Sequence, residues 1–194
     1  MPRVIAGTVG GVPLKTPPGS RTRPTTDRIK ESVFNVLQPY LEGDLILDLF
    51  AGSGSLGIEA LSRGMKKAIF VDKDRNACLI IKDNLNKTHL TDRAELLCMD
   101  IETAVKSLQE RNAKLDIIFA DPPYLCDFVG KTLLLLSEND IMVDDGIAVI
   151  EHHREETTLD RIGRWRLFKK KEYGETVFSF YIFLPSESYN LIEV

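Results

Sequence analysis

Short apolar segments alternate with helical segments between residues 45 and 150. The pattern predicts strands at 45–50, 68–71, 95–99, 115–120 and 146–150, and helices at 54–63, 76–87, 101–111 and 128–137. Strands that are separated by helices of about 10–12 residues form right-handed βαβ units. The chain therefore predicts an α/β fold with a mostly parallel sheet and helices on both faces.

The first 26 residues predict a small extension of this sheet domain. Segments 3–6 and 12–14 are short strand candidates, and Gly10-Gly11 between them is typical of a hairpin turn. A basic, proline-containing loop follows. Because helical periodicity begins at Asp27, we expect an N-terminal β-hairpin and basic loop at 1–26 and the main domain at 27–194.

The last two predicted strands, at 164–172 and 176–184, have no long helix between them. They therefore predict an antiparallel pair at the edge of the sheet, which brings the total to seven strands. Ligands of such sheets bind beyond the carboxyl ends of the parallel strands. Residues at the strand ends are accordingly the first candidates for a functional site.

Charge is unevenly distributed along the 194-residue chain, whose formal net charge is −4. Residues 1–30 carry six basic and one acidic side chain, a net charge of +5, which leaves −9 for the remainder. A second basic cluster, at 161–171, contains no acidic residue. Basic segments on an acidic body indicate either local contact with a polyanion or a solvated surface strip.

The composition argues against several classes of protein. The longest uninterrupted aliphatic run, at 133–136, is far shorter than the ~18 residues of a membrane span, and the first residues lack the apolar core of a signal peptide. Cys78, Cys98 and Cys126 have the spacing of neither a metal-ligand pair nor a disulfide framework. We therefore expect a cytoplasmic protein with no membrane contact and no metal, and nothing requires more than a monomer.

A glycine-rich turn follows the first predicted strand. Gly52, Gly54 and Gly57 satisfy G-x-G-x-x-G between a strand and a helix, where glycines permit a tight turn and close approach of the backbone to a ligand. Asp72 ends the second strand, 20 residues after Gly52, where its carboxylate can accept from both ribose hydroxyls. These residues predict a nucleoside-containing ligand, with a purely structural turn as the alternative.

Two further acidic residues distinguish between nucleoside ligands. Asp48 lies four residues before Gly52, where NAD-binding turns usually have an apolar residue. An acid there suits a cofactor with a free ammonium group, such as S-adenosylmethionine (SAM). Asp100 ends the third strand, where it can meet an adenine amino group, cap the following helix, or do both.

The fourth strand ends in Asp121-Pro122-Pro123-Tyr124. Two consecutive prolines fix φ and remove backbone donors, so they form a rigid ledge. An exocyclic amine on a base is a poor nucleophile that is helped by acceptors for its two hydrogens. The Asp121 carboxylate and the Pro122 carbonyl can supply these acceptors, and Tyr124 offers a stacking face for the base. An ordinary proline-rich turn is the alternative.

Together these motifs resemble the class I SAM-dependent methyltransferases, whose amino-methylating members carry (D/N)-P-P-(Y/F). The chain is more closely similar to the RsmD-type bacterial 16S rRNA guanine-N2 methyltransferases. The resemblance extends over nearly the whole chain, and three stretches carry it, at 23–28, 47–64 and 121–124. It implies a Rossmann-like class I methyltransferase fold, SAM as cofactor and 16S rRNA as substrate.

The resemblance also implies roles for individual residues. Asp121, Pro122, Pro123 and Tyr124 would present guanine N2 to the methyl group. Thr25 and Arg28 would close over either the cofactor's carboxylate or the substrate. The expected cofactor-binding residues, for the methionine end, the ribose and the adenine, are Asp48, Phe50, Ala51, Gly52, Ser53, Gly54, Gly57, Asp72, Asp100 and Ile101.

RNA is favoured over DNA because the chain leaves no room for a sequence-reading domain, whereas a structured RNA can be recognised by shape and phosphate contacts. Lys15, Arg21 and Arg23 are the expected phosphate contacts, and the RNA would belong to an assembling or assembled small ribosomal subunit. His152 and His153 are expected to be exposed and not catalytic, whereas Glu151 is a candidate for lining the pocket.

Three other functions compete with this one. A DNA adenine-N6 methyltransferase shares the motif of residues 121–124 and the cofactor. A NAD-dependent oxidoreductase shares the glycine turn and Asp72 but not the other acids. A non-catalytic RNA-binding module would have had no need to keep an acid or glycine at every one of these strand ends.

Overall fold

The computed structural model describes residues 2–17, 27–122 and 128–186. The helices are α1 (Asp27–Leu37), α2 (Ser55–Arg63), α3 (Arg75–Thr88), α4 (Ile101–Glu110) and α5 (Phe128–Ser137), with short 3₁₀ turns at Gln38–Tyr40 and Thr91–Arg93. The strands are β1 (Leu45–Leu49), β2 (Lys67–Val71), β3 (Ala94–Leu97), β4 (Leu115–Ala120), β5 (Met142–His153), β6 (Arg161–Ile162), β7 (Trp165–Tyr173) and β8 (Thr176–Phe183).

All eight strands form one sheet in the order β3-β2-β1-β4-β5-β8-β7-β6. The first five in that order pair in parallel, and β8, β7 and β6 pair antiparallel. The predicted mostly parallel sheet with an antiparallel C-terminal edge is confirmed, but the predicted count of seven strands is wrong. The additional strand, β6, has only two residues and pairs with the start of β7. So short a segment has no periodicity of its own to reveal it.

Helices cover both faces of the sheet and form two apolar cores. Successive β1 residues point to opposite faces, so Ile46 packs in one core and Leu47 in the other. The first core holds apolar residues of α1, α2 and α3, including Phe34, Ile58 and Ile81. The second holds those of α4 and α5. Strands β1 and β4 are buried on both faces, so their residues are apolar apart from Asp48 and Asp116.

The N-terminal segment packs into the first of these cores. Val4 and Leu14 are fully buried there. The backbone N–H of Val4 donates to the carbonyl of Val12 at 2.9 Å, so the chain turns back on itself as in a hairpin. The two predicted strands are not formed, however, and only a single β-bridge joins Arg3 and Pro13. Proline has no N–H to extend the ladder at that position. The segment is therefore held mainly by its burial and by contacts to α2 and α3.

A buried carboxylate on α2 binds this segment to the domain. Glu59 accepts hydrogen bonds from the backbone N–H groups of Ile5 at 2.7 Å and Ala6 at 3.0 Å. It also forms ion pairs with Lys30 at 3.2 Å and Arg63 at 2.7 Å. Lys30 is 1 % exposed, so it does not add to the cationic surface of residues 1–30. A buried charge requires such a partner, and Glu59 supplies it.

Strand β5 extends beyond the predicted 146–150 to His153. Its last three residues pair with residues 176–178 of β8, a partner that lies far away in sequence. The expectation that His152 is exposed is therefore wrong, because the side chain is 2 % exposed and its Nε2 lies 2.9 Å from Ser179 Oγ. Burial lowers the pKa of His152, which favours the neutral ring.

Candidate active site

The turn after β1 has left-handed backbone conformations at three positions. Phe50, Gly52 and Gly54 have φ angles of 59°, 56° and 73°. A Cβ at Gly52 would meet only the Phe50 carbonyl oxygen, at 3.9 Å, so this turn presents open backbone. Gly54 is left-handed and precedes α2, which is why the helix starts at Ser55 and not at the predicted residue 54. Phe50 is not glycine, and such strained positions gather at functional sites.

Gly57 brings α2 into close contact with the sheet. A Cβ at this position would lie 2.3 Å from Phe70 Cε1 and 3.2 Å from Asp48 Oδ2, so a side chain does not fit. The Gly57 N–H donates to Asp48 Oδ2 at 2.9 Å. Asp48 is 3 % exposed, and burial raises its pKa to about 7, with a smaller contribution from Asp72. The third glycine of the motif therefore positions a buried carboxyl group.

Asp72 connects the end of β2 to the glycine turn. Its Oδ2 accepts from the Gly52 N–H at 2.8 Å, and its Oδ1 accepts from the Asp74 N–H at 2.9 Å. Each carboxylate oxygen has a second lone pair, so Asp72 retains acceptor capacity for a ligand. The contact brings together two residues that were predicted to bind one cofactor.

Asn84 of α3 is a residue that the sequence analysis missed. It is fully buried, and its Nδ2 donates to the carbonyls of Ser53 at 2.8 Å and Lys15 at 3.0 Å. Its Oδ1 accepts from the Lys15 N–H at 2.8 Å. Asn84 thus fixes the glycine turn and places Lys15 beside it. No local sequence signal marks this role, because both partners lie far away along the chain.

Asp100 is the N-cap of α4. Its Oδ1 accepts from the Thr103 N–H at 2.8 Å, and its Oδ2 accepts from Thr103 Oγ1 at 2.9 Å. These hydrogen bonds lower the pKa of Asp100. The capping alternative is therefore correct, and the exposed carboxylate can still accept from a ligand. Ile101 follows as the first residue of the helix.

Asp121 and Glu151 lie side by side at the ends of β4 and β5. Ala120 pairs with Ile150, so the next residue of each strand is a neighbour of the other. The Asp121 N–H donates to the carbonyl oxygen of Leu49, the last residue of β1, at 3.5 Å. Burial raises the pKa of Asp121 well above its usual range, and the charges of Glu151 and Asp48 raise it further. Pro122, which has no N–H, is buried beside it.

The carboxyl ends of β1, β4 and β5 therefore bring several carboxyl groups together. Among the ion pairs of the described residues, none involves Asp48 or Asp121. Clustered carboxyl groups whose pKa values are raised are stabilised by a cationic ligand. SAM carries a sulfonium and an ammonium cation and a ribose, so the donor set of Asp48, the open Gly52 turn and Asp72 fits this cofactor.

The remaining predicted site residues within the described ranges lie in three parts of the chain: the N-terminal segment, the start of α1 and the glycine turn. Lys15 is exposed and forms an ion pair with Asp83 at 2.7 Å, and Arg28 is exposed in the first turn of α1. Phe50, Ala51 and Ser53 lie in the glycine turn as expected. The predictions for the loop and for the ledge beyond Pro122 fall outside the described residues, and they concern Arg21, Arg23, Thr25, Pro123 and Tyr124.

The described ranges contain neither a membrane-spanning helix nor a metal-binding cluster. Within 2–17, 27–122 and 128–186, no helix has the length and apolar character to cross a membrane. In the same part of the chain, no group of three or more His, Cys, Asp or Glu side chains is arranged to hold a metal ion.

Comparison with known proteins identifies the family. The model of the family described as Conserved hypothetical protein 95 matches residues 2–182. Bacillus subtilis YlbH, provisionally named an rRNA methyltransferase, is 43% identical over 92% of this chain and 97% of its own. The Escherichia coli ribosomal RNA small subunit methyltransferase D is 32% identical over 92% of this chain and 88% of its own.

The fold comparison agrees with the sequence comparison. The solved structure of Escherichia coli yhhF, described provisionally as a methyltransferase, superposes with a TM-score of 0.81 at 31% identity, over 94% of this chain and 97% of that one. The two chains therefore share one fold over nearly their whole lengths. The chain therefore belongs to the Conserved hypothetical protein 95 family, the RsmD-type methyltransferases that its motifs resemble.

Proposed function

We propose that the protein transfers the methyl group of SAM to the exocyclic N2 of a guanine in 16S rRNA of the small ribosomal subunit. The observation that carries the proposal is the placement of Asp121 beside Pro122 at the end of β4, next to the buried carboxyl group of Asp48. The name of the Escherichia coli relative supports ribosomal RNA as the substrate class.

The cofactor would be held by the ends of β1, β2 and β3. Bound SAM supplies a methyl group that is already activated by its sulfonium leaving group. Asp48 and the glycine turn would bind the methionine end, Asp72 the ribose, and Asp100 with Ile101 the adenine. Because the leaving group is activated in advance, the protein contributes mainly position and electrostatic stabilisation.

Asp121 would act on the base. Its carboxylate and the Pro122 carbonyl accept hydrogen bonds from the two N2 hydrogens, which turns the nitrogen lone pair toward the methyl group. A nearby cation favours the ionised form of Asp121 despite its raised pKa. The same raised pKa makes the carboxylate an effective acceptor for the proton that the methylated nitrogen releases. The base must be unpaired or flipped to reach this edge of the sheet.

Methyl transfer to RNA that lacks the modification tests the proposal. We expect tritiated SAM to label small-subunit rRNA, as naked RNA or in assembled subunits, and digestion to nucleosides to yield N2-methylguanosine. Label in adenine of DNA would instead make the protein a DNA adenine-N6 methyltransferase. Absence of label in DNA, naked rRNA and assembled subunits alike would reject the proposal.

The affinity for SAM should rise with pH. The pKa of Asp48 is about 7 in the folded protein, above its usual 3.8, so the group is mostly protonated at pH 6 and ionised at pH 8. A cationic ligand binds the ionised form, so we expect affinity at pH 6 to be about tenfold lower than at pH 8, with proton release on binding at pH 6. Isothermal titration calorimetry in buffers of different ionisation enthalpy measures both effects.

The matched control for this experiment is Asp92→Asn, which changes an exposed carboxyl group and should keep the full pH dependence. Asp48→Asn removes the titrating group and should bind SAM weakly at both pH values. Equal affinities of the unaltered protein at pH 6 and pH 8, without proton release, would exclude Asp48 as the ligand of the cofactor's cationic end.

A further inference from the structure

We propose that strand β7 is a second RNA-contact surface, which binds phosphate groups of the substrate through Arg166, Lys169 and Lys171. The proposal rests on the proposed function, because it assigns a further part of the binding surface for the same RNA. From the sequence alone, the basic cluster at 161–171 is either a contact for a polyanion or a solvated surface strip. Five features of the fold favour the first alternative.

The cations of β7 are available for a ligand. Arg164 is paired with Asp144. Within the described part of the chain, by contrast, no salt bridge involves Arg166, Lys169 or Lys171. Three unpaired positive charges on one strand attract a polyanion, while the rest of the acidic body repels it. The surface that RNA can approach is thereby restricted to the basic segments.

The register of the sheet places these cations level with the candidate active site. Lys171 pairs with Phe178 of β8, and Phe178 pairs with Glu151 of β5. The backbone of Lys171 is therefore two strand spacings, about 10 Å, from the backbone of Glu151, which neighbours Asp121. An RNA strand whose target base enters at the ends of β4 and β5 would place neighbouring phosphates within reach of this lysine.

All three cations point to one face of the sheet. Residues that pair directly across antiparallel strands share a face. Arg166 pairs with Ile182, and Lys169 and Lys171 pair with Phe180 and Phe178, which all pack in the core that contains α1. The register shift at Phe168 keeps Arg166 and the two lysines on this same side, although they are an odd number of residues apart. The result is a row of positive charge along one face.

This face is continuous with α1. Tyr173, at the end of β7, donates from its hydroxyl to Ser32 Oγ of α1 at 2.5 Å. Arg28 is exposed one helical turn before Ser32 and so lies on the same side of α1. The cations of β7 and Arg28 therefore lie on elements that contact each other, and the sequence that leads into α1 contains Arg21 and Arg23.

The outer edge of β7 is open and carries an aromatic side chain. Strand β6 pairs only with Trp165 and Arg166, and the Leu167 N–H donates to the Asp160 carbonyl at 2.8 Å. Beyond Leu167, β7 has no strand partner on that edge among the described residues. Phe168 is 41% exposed, and its ring packs edge-on against Phe180 with centroids 6.2 Å apart. An aromatic ring beside a cationic row is the combination that binds single-stranded RNA, by stacking and phosphate contacts together.

The test compares two charge-reversed double variants with the same change in net charge. Lys169→Glu/Lys171→Glu alters the proposed surface, and Lys67→Glu/Lys106→Glu alters two exposed lysines elsewhere. We expect the first variant to raise KM for rRNA at least about tenfold, with kcat at saturating RNA and SAM affinity unchanged, and the second to match the unaltered protein. RNA binding is measured by fluorescence anisotropy, and SAM binding by calorimetry.

The salt dependence of RNA binding adds a second readout. Lys169→Gln/Lys171→Gln should make the slope of log K against log salt shallower by about 1.5 to 2, because two phosphate contacts are lost. An unchanged slope and KM in these variants, while the unaltered protein methylates rRNA, would overturn the proposal for β7 alone. Competition by poly-glutamate as strong as by RNA would overturn it in favour of an acidic protein partner. Absence of methylation by the unaltered protein would instead reject the proposed function.

Discussion

Asp121→Asn will lower the rate of methyl transfer by about 10²–10³-fold. The change is isosteric, but it replaces a carboxylate oxygen with an NH₂ group that cannot accept from the target amine. Because other residues hold the cofactor, we expect SAM to bind within about tenfold of its original affinity. Single-turnover transfer to rRNA, with SAM binding measured separately by calorimetry, distinguishes the two effects.

The same substitution should stabilise the protein at pH 8. Burial and the charges of Glu151 and Asp48 raise the pKa of Asp121 in the folded state. The protonated group favours the folded state, and this stabilisation is complete at pH values below the pKa of Asp121 in the unfolded chain. It is lost as the pH rises through the higher pKa of the folded state. The amide cannot ionise, so the melting temperature of the variant should exceed that of the unaltered protein at pH 8 and approach it at pH 4.

Asp116→Asn is the matched control, because it makes the same chemical change at the opposite end of β4. Asp116 Oδ2 accepts from the backbone N–H groups of Asp44 at 2.9 Å and Leu45 at 2.8 Å, so its role is structural. This variant should keep its methyl-transfer rate. If Asp121→Asn retains more than a tenth of the original rate, Asp121 is not the acceptor for the target amine.

Glu59→Gln should destabilise the fold by about 3–5 kcal/mol. The carboxylate is fully buried, and its loss leaves the Lys30 ammonium, 1 % exposed, without a counter-charge. An amide of the same size keeps one acceptor oxygen, so it can accept from either Ile5 or Ala6 but not from both, and it cannot neutralise Lys30 or Arg63. The free energy of unfolding, measured by urea denaturation, reports the cost.

The double variant Glu59→Gln/Lys30→Met tests whether the unpaired charge causes this loss. Removing both partners of a buried ion pair costs less than removing one. Lys30→Met also removes the hydrogen bond from Nζ to the Arg3 carbonyl at 2.5 Å, so recovery should be partial. A double variant that is no more stable than Glu59→Gln alone would show that geometry at Glu59, and not charge, controls stability.

Local pattern was sufficient to predict the acidic strand ends. Asp48, Asp72, Asp100 and Asp121 each follow an apolar run, and parallel pairing brings the ends of such runs to one edge of the sheet. The order of the strands and the two-sided helical cover follow from the same alternation. These features depend on short-range periodicity and on topological rules that hold for most α/β sheets.

Long-range partners could not be predicted in the same way. Asn84 has the sequence signature of an ordinary helix residue, and its role depends on contacts to Lys15 and Ser53. Lys30 belonged to a basic segment, and only the fold shows that it meets Glu59 in the core. His152 is buried because β8 pairs with it. Each case needs a partner that lies tens of residues away in the sequence.

The earliest residues to be synthesised wait for partners that lie far along the chain. Ile5 and Lys15 donate to side chains that lie 54 and 69 residues further along the chain. At about 5–20 residues per second, the interval between Lys15 and Asn84 takes roughly 3–14 s on the ribosome. During that time Val4 and Leu14 lack the α2 and α3 surfaces on which they finally pack. The N-terminal segment therefore reaches these contacts only after α2 and α3 exist, although it leaves the ribosome first.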